Sequence, residues 1–205
     1  MSIKEKIQIF ITGGTFDKSY DYINGSLFFK ETHLPEMLKR SRCQLNIDFN
    51  TLMMVDSLEM QTKEIKHVIE ACNNCKSDKI VITHGTDRMV ETAKALAEAN
   101  LESKTIVLTG AMIPYAFGSS SDGFFNLGCA LAYVQTLKPN VYITMQGQYF
   151  LWSEVEKNKE LGLFEMTETG LTGVPDASQL FLTDRRTGVP GSVVVPTIEG
   201  QRPLL

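Results

Sequence analysis

Four short runs of apolar and β-branched residues are the feature that most constrains how this chain can fold. The runs cover 7–11, 79–83, 105–109 and 141–145. Apart from Gln8 and Lys79, every residue in them is apolar or β-branched, and runs of this kind are typical of strands that are covered on both faces. Because segments with helical spacing separate them, the sequence predicts an α/β fold over residues 1–165, with an open parallel sheet flanked by helices.

The segments between these runs supply the helices. Helices are predicted at 34–40, 90–99 and 122–137, and a further strand falls within 45–55. Thr62 is a candidate cap for one more helix, in which Cys72 lies on the apolar face. The spacing Cys72-x-x-Cys75 lacks the second cysteine pair of a structural zinc site, so we expect reduced thiols.

The last forty residues do not continue the pattern. Gly, Pro, Thr and Asp dominate the stretch 167–191, and a single apolar run follows at 192–196. We therefore expect residues 166–205 to form an irregular tail with one candidate edge strand.

Three of the predicted strands end in similar chemistry. The first ends in TGGT (12–15), the second in THGTD (83–87) and the third in TGAM (109–112). Ligands of open parallel sheets bind outside the carboxyl ends of the strands, where glycines allow the backbone to approach closely. One such ending would be explained by a turn and a helix cap. Three in one chain indicate a polar pocket.

A threonine hydroxyl is a weak nucleophile until a base removes its proton. Thr86 is followed by Asp87, which could orient a basic partner, and a lysine made neutral by burial is the best candidate. Spacing alone does not identify that lysine. His84 makes no metal-binding spacing, so a packing role is favoured. A nucleotide site is disfavoured, because the sequence contains neither G-x-G-x-x-G nor a Walker motif.

The same segments carry a family resemblance. ITGGTFD (11–17), VITHGTDRMVETA (81–93) and IVLTGAMIPY (106–115) resemble signature segments of the bacterial-type L-asparaginases, and SSDGFFNL (120–127) resembles the segment that follows in them. The order and spacing of the segments also agree. The resemblance implies a flavodoxin-like N-terminal domain that hydrolyses asparagine or a related amide through a threonyl acyl-enzyme, without a cofactor.

The resemblance also implies catalytic roles for single residues. Thr15 resembles the primary nucleophile, and Thr86 with Asp87 resembles the second threonine and its acidic neighbour. Lys157 falls where the family keeps its basic lysine. On its own, the charged run 154–160 that contains Lys157 would be interpreted as a solvated face.

Further residues are implied to contact the substrate. Ser57 resembles the serine that holds the substrate carboxylate, and Ala111 lies where a backbone carbonyl faces the substrate amide. Gly14 and Gly85 belong to the two threonine-bearing motifs and are expected to line the same pocket. Leu58 departs from the family, which usually has a polar substrate-binding residue there.

Two points stay open at this stage. Either Tyr20 or Tyr22 would be the loop tyrosine that closes over the nucleophile, and we assign Tyr20. The chain also ends where the second domain of the family would begin, which suggests a single-domain or shortened relative. An alternative is therefore a non-catalytic module that binds an amino acid or small acid in the same pocket. A nucleotide-binding α/β protein is a more distant alternative.

Charge and composition disfavour some of the remaining classes of protein. The formal net charge of -4 does not favour a nucleic-acid partner, and the apolar run near the N-terminus is too short for a signal peptide or a membrane span. We expect a cytoplasmic protein that uses no metal. A domain without its usual partner domain exposes apolar surface, so we also expect a homo-oligomer.

Overall fold

Ten strands and four α-helices form the described part of the chain, which is residues 5–167 of a computed structural model. The strands are β1 (Lys6–Gly13), β2 (Lys18–Asp21), β3 (Ser26–Phe29), β4 (Asn46–Val55), β5 (Lys79–Thr83), β6 (Thr105–Thr109), β7 (Asn140–Met145), β8 (Gln148–Leu151), β9 (Val155–Asn158) and β10 (Leu163–Met166). The helices are α1 (Leu34–Arg40), α2 (Thr62–Asn74), α3 (Met89–Glu98) and α4 (Gly123–Thr136). Short 3-10 helices at Thr15–Asp17 and Tyr115–Ser120 follow β1 and β6.

The central sheet has six strands in the order β4-β1-β5-β6-β7-β8. The first five are parallel, and β8 pairs antiparallel with β7 at one edge. Numbered by their succession in the chain, the parallel strands run 2-1-3-4-5, which is the flavodoxin-like order. The predicted fold class is therefore confirmed, with one refinement: the sheet is mixed, because the β7–β8 connection is a tight turn that reverses the chain.

Each face of the sheet is covered by two helices. In β5, Ile80 and Ile82 pack in the apolar layer beneath α2 and α3, whereas Val81 packs in the layer beneath α1 and α4. Side chains alternate between the two faces of a strand, so both sets of positions must be apolar. This arrangement explains why the strand sequences are apolar or β-branched at nearly every position.

The helices occupy the predicted segments, with one error at a terminus. Thr62 is the first residue of α2 and not its cap. The N-cap is Gln61, whose extended backbone places its N–H 2.9 Å from the Glu64 carboxylate, which accepts that hydrogen bond. Cys72 is buried on the packed face of α2, as predicted, and its thiol is free.

Two hairpins stand apart from the central sheet and were not predicted. β2 pairs only with β3, and β9 pairs only with β10. These strands are four residues long, too short for a clear alternation in the sequence. Residues 1–4 and 168–205 are outside the described part, and with them nearly all of the predicted irregular tail and its candidate strand at 192–196. No helix in 5–167 combines the length and apolar character needed to cross a bilayer.

Candidate active site at the carboxyl ends of the strands

Close glycine contacts bring the strand-end loops together. A Cβ atom on Gly14 would lie 2.4 Å from the backbone of Gly85, and one on Gly85 would lie 2.4 Å from the Ser57 side chain. The backbone of Gly14 is also left-handed, with φ of +73°. Any side chain here would force the loops apart, so glycine is required at both positions. The loops after β1, β4 and β5 therefore meet at one place.

That place is where the sheet changes direction. β1 and β5 are neighbours, but the chain leaves β1 towards β4 on one side and leaves β5 towards β6 on the other. Connections that diverge in this way open a crevice at the carboxyl ends of the two strands. Thr15 follows β1 and Thr86 follows β5, so both threonines lie at this crevice.

Lys157 comes to the crevice from a distant part of the chain. Its Nζ donates a hydrogen bond to Thr86 Oγ1 at 2.8 Å and forms an ion pair with Asp87 Oδ1 at 2.7 Å. Thr86 is buried, and only 10% of the Lys157 side chain is exposed. Three of the predicted site residues thus form one hydrogen-bonded group.

Strand geometry explains why a lysine from a charged run is buried. In β9, Val155 and Lys157 lie two residues apart and therefore face the same side of the strand. Val155 is 4% exposed and packs in the apolar layer beneath α2 and α3. The interpretation of this run as a solvated face is wrong for Lys157, which points inward, and holds for the exposed Glu156 on the other face.

The turn that contains Ser57 joins the same crevice. Ser57 is 2% exposed, and its Oγ accepts a hydrogen bond from the Asp87 N–H at 3.3 Å. The neighbouring Asp56 forms an ion pair with Lys18 of β2. Partial burial raises the pKa of Asp56, but hydrogen bonds from Lys18 and the Leu58 N–H, with the Lys18 charge, outweigh it and lower the pKa. Leu58 itself is 72% exposed, at the mouth of the crevice.

The first threonine motif places Thr15 differently from Thr86. Thr15 is half-buried at the start of the 3-10 helix, and within residues 5–167 no hydrogen bond to its hydroxyl is found. Tyr20 lies on β2 and its ring packs edge-on against Phe117, with the centroids 6.2 Å apart. Tyr22 lies in the turn of the same hairpin and is 83% exposed.

The third motif is held from α4. Ala111 is fully buried, and the N–H groups of the next two residues, Met112 and Ile113, both donate to the Asp122 carboxylate at 3.0 Å. Asn126 donates from Nδ2 to the Gly110 carbonyl at 3.0 Å. Sequence reasoning missed these two supporting residues, although both belong to the SSDGFFNL segment.

The threonines that end the strands have structural roles. The Thr12 hydroxyl donates to the Thr83 carbonyl and the Thr109 hydroxyl to the Thr144 carbonyl, each at 2.9 Å. All four residues are completely buried in the sheet. The Thr12 and Thr109 hydroxyls therefore bind neighbouring strands and do not line the polar pocket predicted at the strand ends.

His84 has the packing role that was predicted. Its Nδ1 lies 2.7 Å from the Gly85 carbonyl and its Nε2 lies 3.0 Å from the Thr92 hydroxyl. Complete burial lowers the pKa of His84 to about 4, because desolvation penalises the charged ring. The histidine is neutral at pH 7 and connects the loop after β5 to α3.

Asp17 is a buried acid that sequence reasoning did not single out. Its Oδ1 accepts hydrogen bonds from the Thr32 hydroxyl at 2.8 Å and the His33 N–H at 3.1 Å. Burial raises the pKa of this carboxyl. These contacts close the base of the β2–β3 hairpin, which carries Tyr20. Its signal in the sequence is an acidic residue two positions after Thr15, at the end of the ITGGTFD segment.

Within residues 5–167, no group of three or more His, Cys, Asp and Glu side chains lies close enough together to hold a metal ion. The expectation of metal-free chemistry stays a prediction.

Comparison with known proteins agrees with this geometry. The family model described as Asparaginase, N-terminal matches residues 6–179 of the chain. This chain belongs to the asparaginase family. The match places it in the N-terminal domain of the family, as the threonine motifs indicated, and includes every residue of the candidate site.

Solved structures give the same result for the fold of this asparaginase-family domain. The thermostable L-asparaginase from Thermococcus kodakarensis superposes with a TM-score of 0.66 at 27% identity, over 78% of this chain and 51% of that one. The probable cytoplasmic L-asparaginase from Campylobacter jejuni gives a TM-score of 0.68 at 27% identity, over 80% and 54%. The chain therefore spans about half the length of these enzymes.

Two further relatives also match parts of this asparaginase-family chain. One component of the glutamyl-tRNA(Gln) amidotransferase from Pyrococcus furiosus is 33% identical over 149 residues, 69% of this chain and 34% of that relative. The DNA repair protein RadA from Halalkalibacterium halodurans is 54% identical over 46 residues, 22% of this chain and 10% of that protein. The stretch shared with RadA is shorter than an ordinary domain, so it indicates a shared segment and not a shared activity.

The buried His84 predicts how stability depends on pH. Its pKa is about 4 in the folded domain, against an ordinary value of 6.5, so between these values the unfolded chain binds more protons. Its contribution to the free energy of unfolding should therefore decrease as the pH falls from about 6.5 to about 4. Urea unfolding at several pH values should show a weaker pH dependence in His84→Gln than in the parent. His67→Gln, at an exposed position of α2, is the matched control. Identical pH dependence in the two variants would contradict the assignment.

Proposed function

We propose that this domain hydrolyses the amide of a small molecule to a carboxylic acid and ammonia, as an amidohydrolase resembling L-asparaginase. The observation that carries the proposal is the contact of Lys157 Nζ with both the Thr86 hydroxyl and the Asp87 carboxylate. An amine held between a hydroxyl and a carboxylate is the kind of base that a threonine nucleophile requires. Asparagine or a related side-chain amide is the substrate that family membership favours.

In the proposed reaction, Thr15 Oγ attacks the carbonyl carbon of the amide. The hydroxyl proton passes through Thr86 to Lys157 Nζ, which accepts it in its unprotonated form while Asp87 holds the side chain in place. The carbon–nitrogen bond then breaks, and the same proton is delivered to the departing nitrogen, so that ammonia leaves. Water next attacks the threonyl ester with Lys157 again as base, releasing the acid and restoring the Thr15 hydroxyl. Tyr20 closes over Thr15 from the β2–β3 hairpin.

Substrate binding is assigned to the crevice around the nucleophile. Ser57 Oγ receives the carboxylate of the substrate, and the Ala111 carbonyl faces its amide. Gly14 and Gly85 are assigned to the same crevice, because the loops that carry Thr15 and Thr86 can meet there only without side chains at these two positions. Leu58 supplies no polar contact at the mouth of the crevice, so the amino group of an amino-acid substrate is left without a partner from this residue.

A binding module is the second candidate function. The chain spans about half the length of the L-asparaginases it resembles, so family membership by itself does not supply a complete pocket. The two functions are separated by titration calorimetry with aspartate, asparagine and glutamine beside an assay of released ammonia. Binding of aspartate without ammonia from any amide would favour the module.

The proposed setting is a cytoplasmic homo-oligomer. The Campylobacter enzyme is described as cytoplasmic, and several large apolar side chains of this domain, including Phe125, Tyr149 and Tyr22, are at least half exposed. Exposed apolar surface of this kind usually marks an interface, and a two-fold dimer is the simplest assembly. Light scattering at micromolar concentration should therefore give about twice the mass of the chain. A monomer across the whole concentration range would contradict this.

The nucleophile is tested by removing its hydroxyl. Thr15→Ala should reduce ammonia release from the best amide substrate below detection, because the hydroxyl assigned to form the acyl intermediate is removed. Thr15→Ser should keep part of the rate, since a hydroxyl remains. Thr136→Ala, which alters an exposed threonine at the far end of α4, should match the parent. A Thr15→Ala protein that is folded and works at the parent rate would show that Thr15 is only a turn residue.

The base is tested in the same way. Lys157→Met should lower kcat by about 10²–10⁴-fold, the usual cost of losing a positioned base. Binding of aspartate should change much less, because Lys157 contacts the threonine and not the assigned substrate site. Lys94→Met, at an exposed position of α3, is the control for loss of a positive charge. Equal kcat values in the two variants would eliminate Lys157 as the base.

A further inference from the structure

The hairpin that carries Lys157 is not part of the central sheet. Among the described residues, β9 and β10 form backbone ladders only with each other. Val155 and Phe164 anchor the hairpin in the apolar layer beneath α2 and α3. Apolar packing is not directional, so it does not by itself fix the position of Lys157 along the crevice.

A directional contact comes from the side chain of Gln146. Its Nε2 donates to the Gly162 carbonyl at 3.0 Å, and its Oε1 accepts the Phe164 N–H at 3.1 Å. Gly162 directly precedes β10, and Phe164 is the second residue of that strand. The carboxamide of Gln146 therefore holds the start of β10 through one donor and one acceptor hydrogen bond.

The point of contact lies across from the lysine. In the β9–β10 ladder, Phe164 is the direct partner of Lys157. Directly paired residues of an antiparallel ladder direct their side chains to the same face. A fixed position for the Phe164 backbone thus fixes the starting point of the Lys157 side chain, four methylene groups from its amine.

Gln146 is itself held firmly. It lies between β7 and β8 in the left-handed region, with φ of +55°, which is costly for a residue with a side chain. Its N–H donates to Asn126 Oδ1 at 3.0 Å, and Asn126 donates from Nδ2 to the Gly110 carbonyl. A continuous set of hydrogen bonds therefore runs from the loop after β6, through Asn126 and Gln146, to the hairpin of Lys157.

We propose that Gln146 is a positioning residue for Lys157, whose amine it places between Thr86 and Asp87. The placement is a property of the fold. Its consequence for turnover rests on the proposed function, in which Lys157 is the base.

The test uses a variant of the same length that lacks both hydrogen bonds. In Gln146→Met, hydrogen exchange of the Phe164 amide should become about tenfold faster, because two neutral hydrogen bonds no longer oppose local opening. Acetylation of Lys157 by acetic anhydride, followed by mass spectrometry relative to Lys94, should also become faster. Amides of β5 should exchange as in the parent, which shows that the domain stays folded.

Two further variants sharpen the interpretation. Gln148→Met alters an exposed glutamine two residues away and should leave both rates unchanged. Gln146→Glu keeps an acceptor for the Phe164 N–H but turns a second oxygen towards the Gly162 carbonyl, and because two acceptors repel, Phe164 exchange and Lys157 acetylation should also be faster than in the parent. Parent rates of Phe164 exchange and Lys157 acetylation in Gln146→Met would overturn the proposal.

Kinetics separate this proposal from the proposed function. If Lys157 is the base, Gln146→Met should lower kcat by at least about tenfold, since a small displacement of a catalytic group is costly, and leave KM nearly unchanged. Faster acetylation with an unchanged kcat would support the placement by Gln146 and contradict the catalytic role of Lys157.

Discussion

The contact between Gly14 and Gly85 is the constraint on which the rest of the site depends. The loops after β1 and β5 touch through backbone atoms, and a single added methyl group would lie 2.4 Å from the opposing chain. Because β1 and β5 flank the change of direction in the sheet, this contact sets the width of the crevice. Thr15 and Thr86 are each the residue directly after one of these glycines. Both threonines thus follow directly from the point where the two loops touch, a contact that the absence of glycine side chains allows.

The ion pair of Lys157 and Asp87 is the second constraint. A lysine that is 10% exposed loses most of its hydration, and an ion pair compensates for that loss only when further hydrogen bonds satisfy both partners. Here the Thr86 hydroxyl accepts a further hydrogen bond from the amine, and the Asp87 side chain, which is 34% exposed, keeps part of its contact with water. The residues that compensate for the burial of the Lys157 charge are thus the same residues that the proposed chemistry needs. A change at any of these residues would leave the Lys157 amine either exposed to water or buried without a hydrogen-bond partner.

The similarity to known asparaginases is confined to the N-terminal half of those enzymes. The family model and the superposed enzymes agree on the N-terminal domain, and the chain covers about half of those enzymes. Within that domain, the geometry around Lys157 supports an amide hydrolase more than a passive binding module, since binding a small acid does not require a buried amine beside a hydroxyl. The exposed Leu58 indicates that recognition of the substrate differs from that of a family member with a polar residue there.

The sequence by itself determined the α/β fold and the placement of the threonine motifs. Both faces of the sheet are buried, so β1, β5, β6 and β7 had to be apolar or β-branched at nearly every position, and glycines had to follow them where backbones touch. Those are local requirements, visible in any short window. The position of Lys157 was decided only by tertiary structure. Its run of charges has no apolar pattern strong enough to predict a strand, and a distant carboxamide, that of Gln146, binds the hairpin. The roles of Thr12 and Thr109 were likewise hidden, because their hydroxyls bind carbonyl groups of strands that lie far away in the sequence.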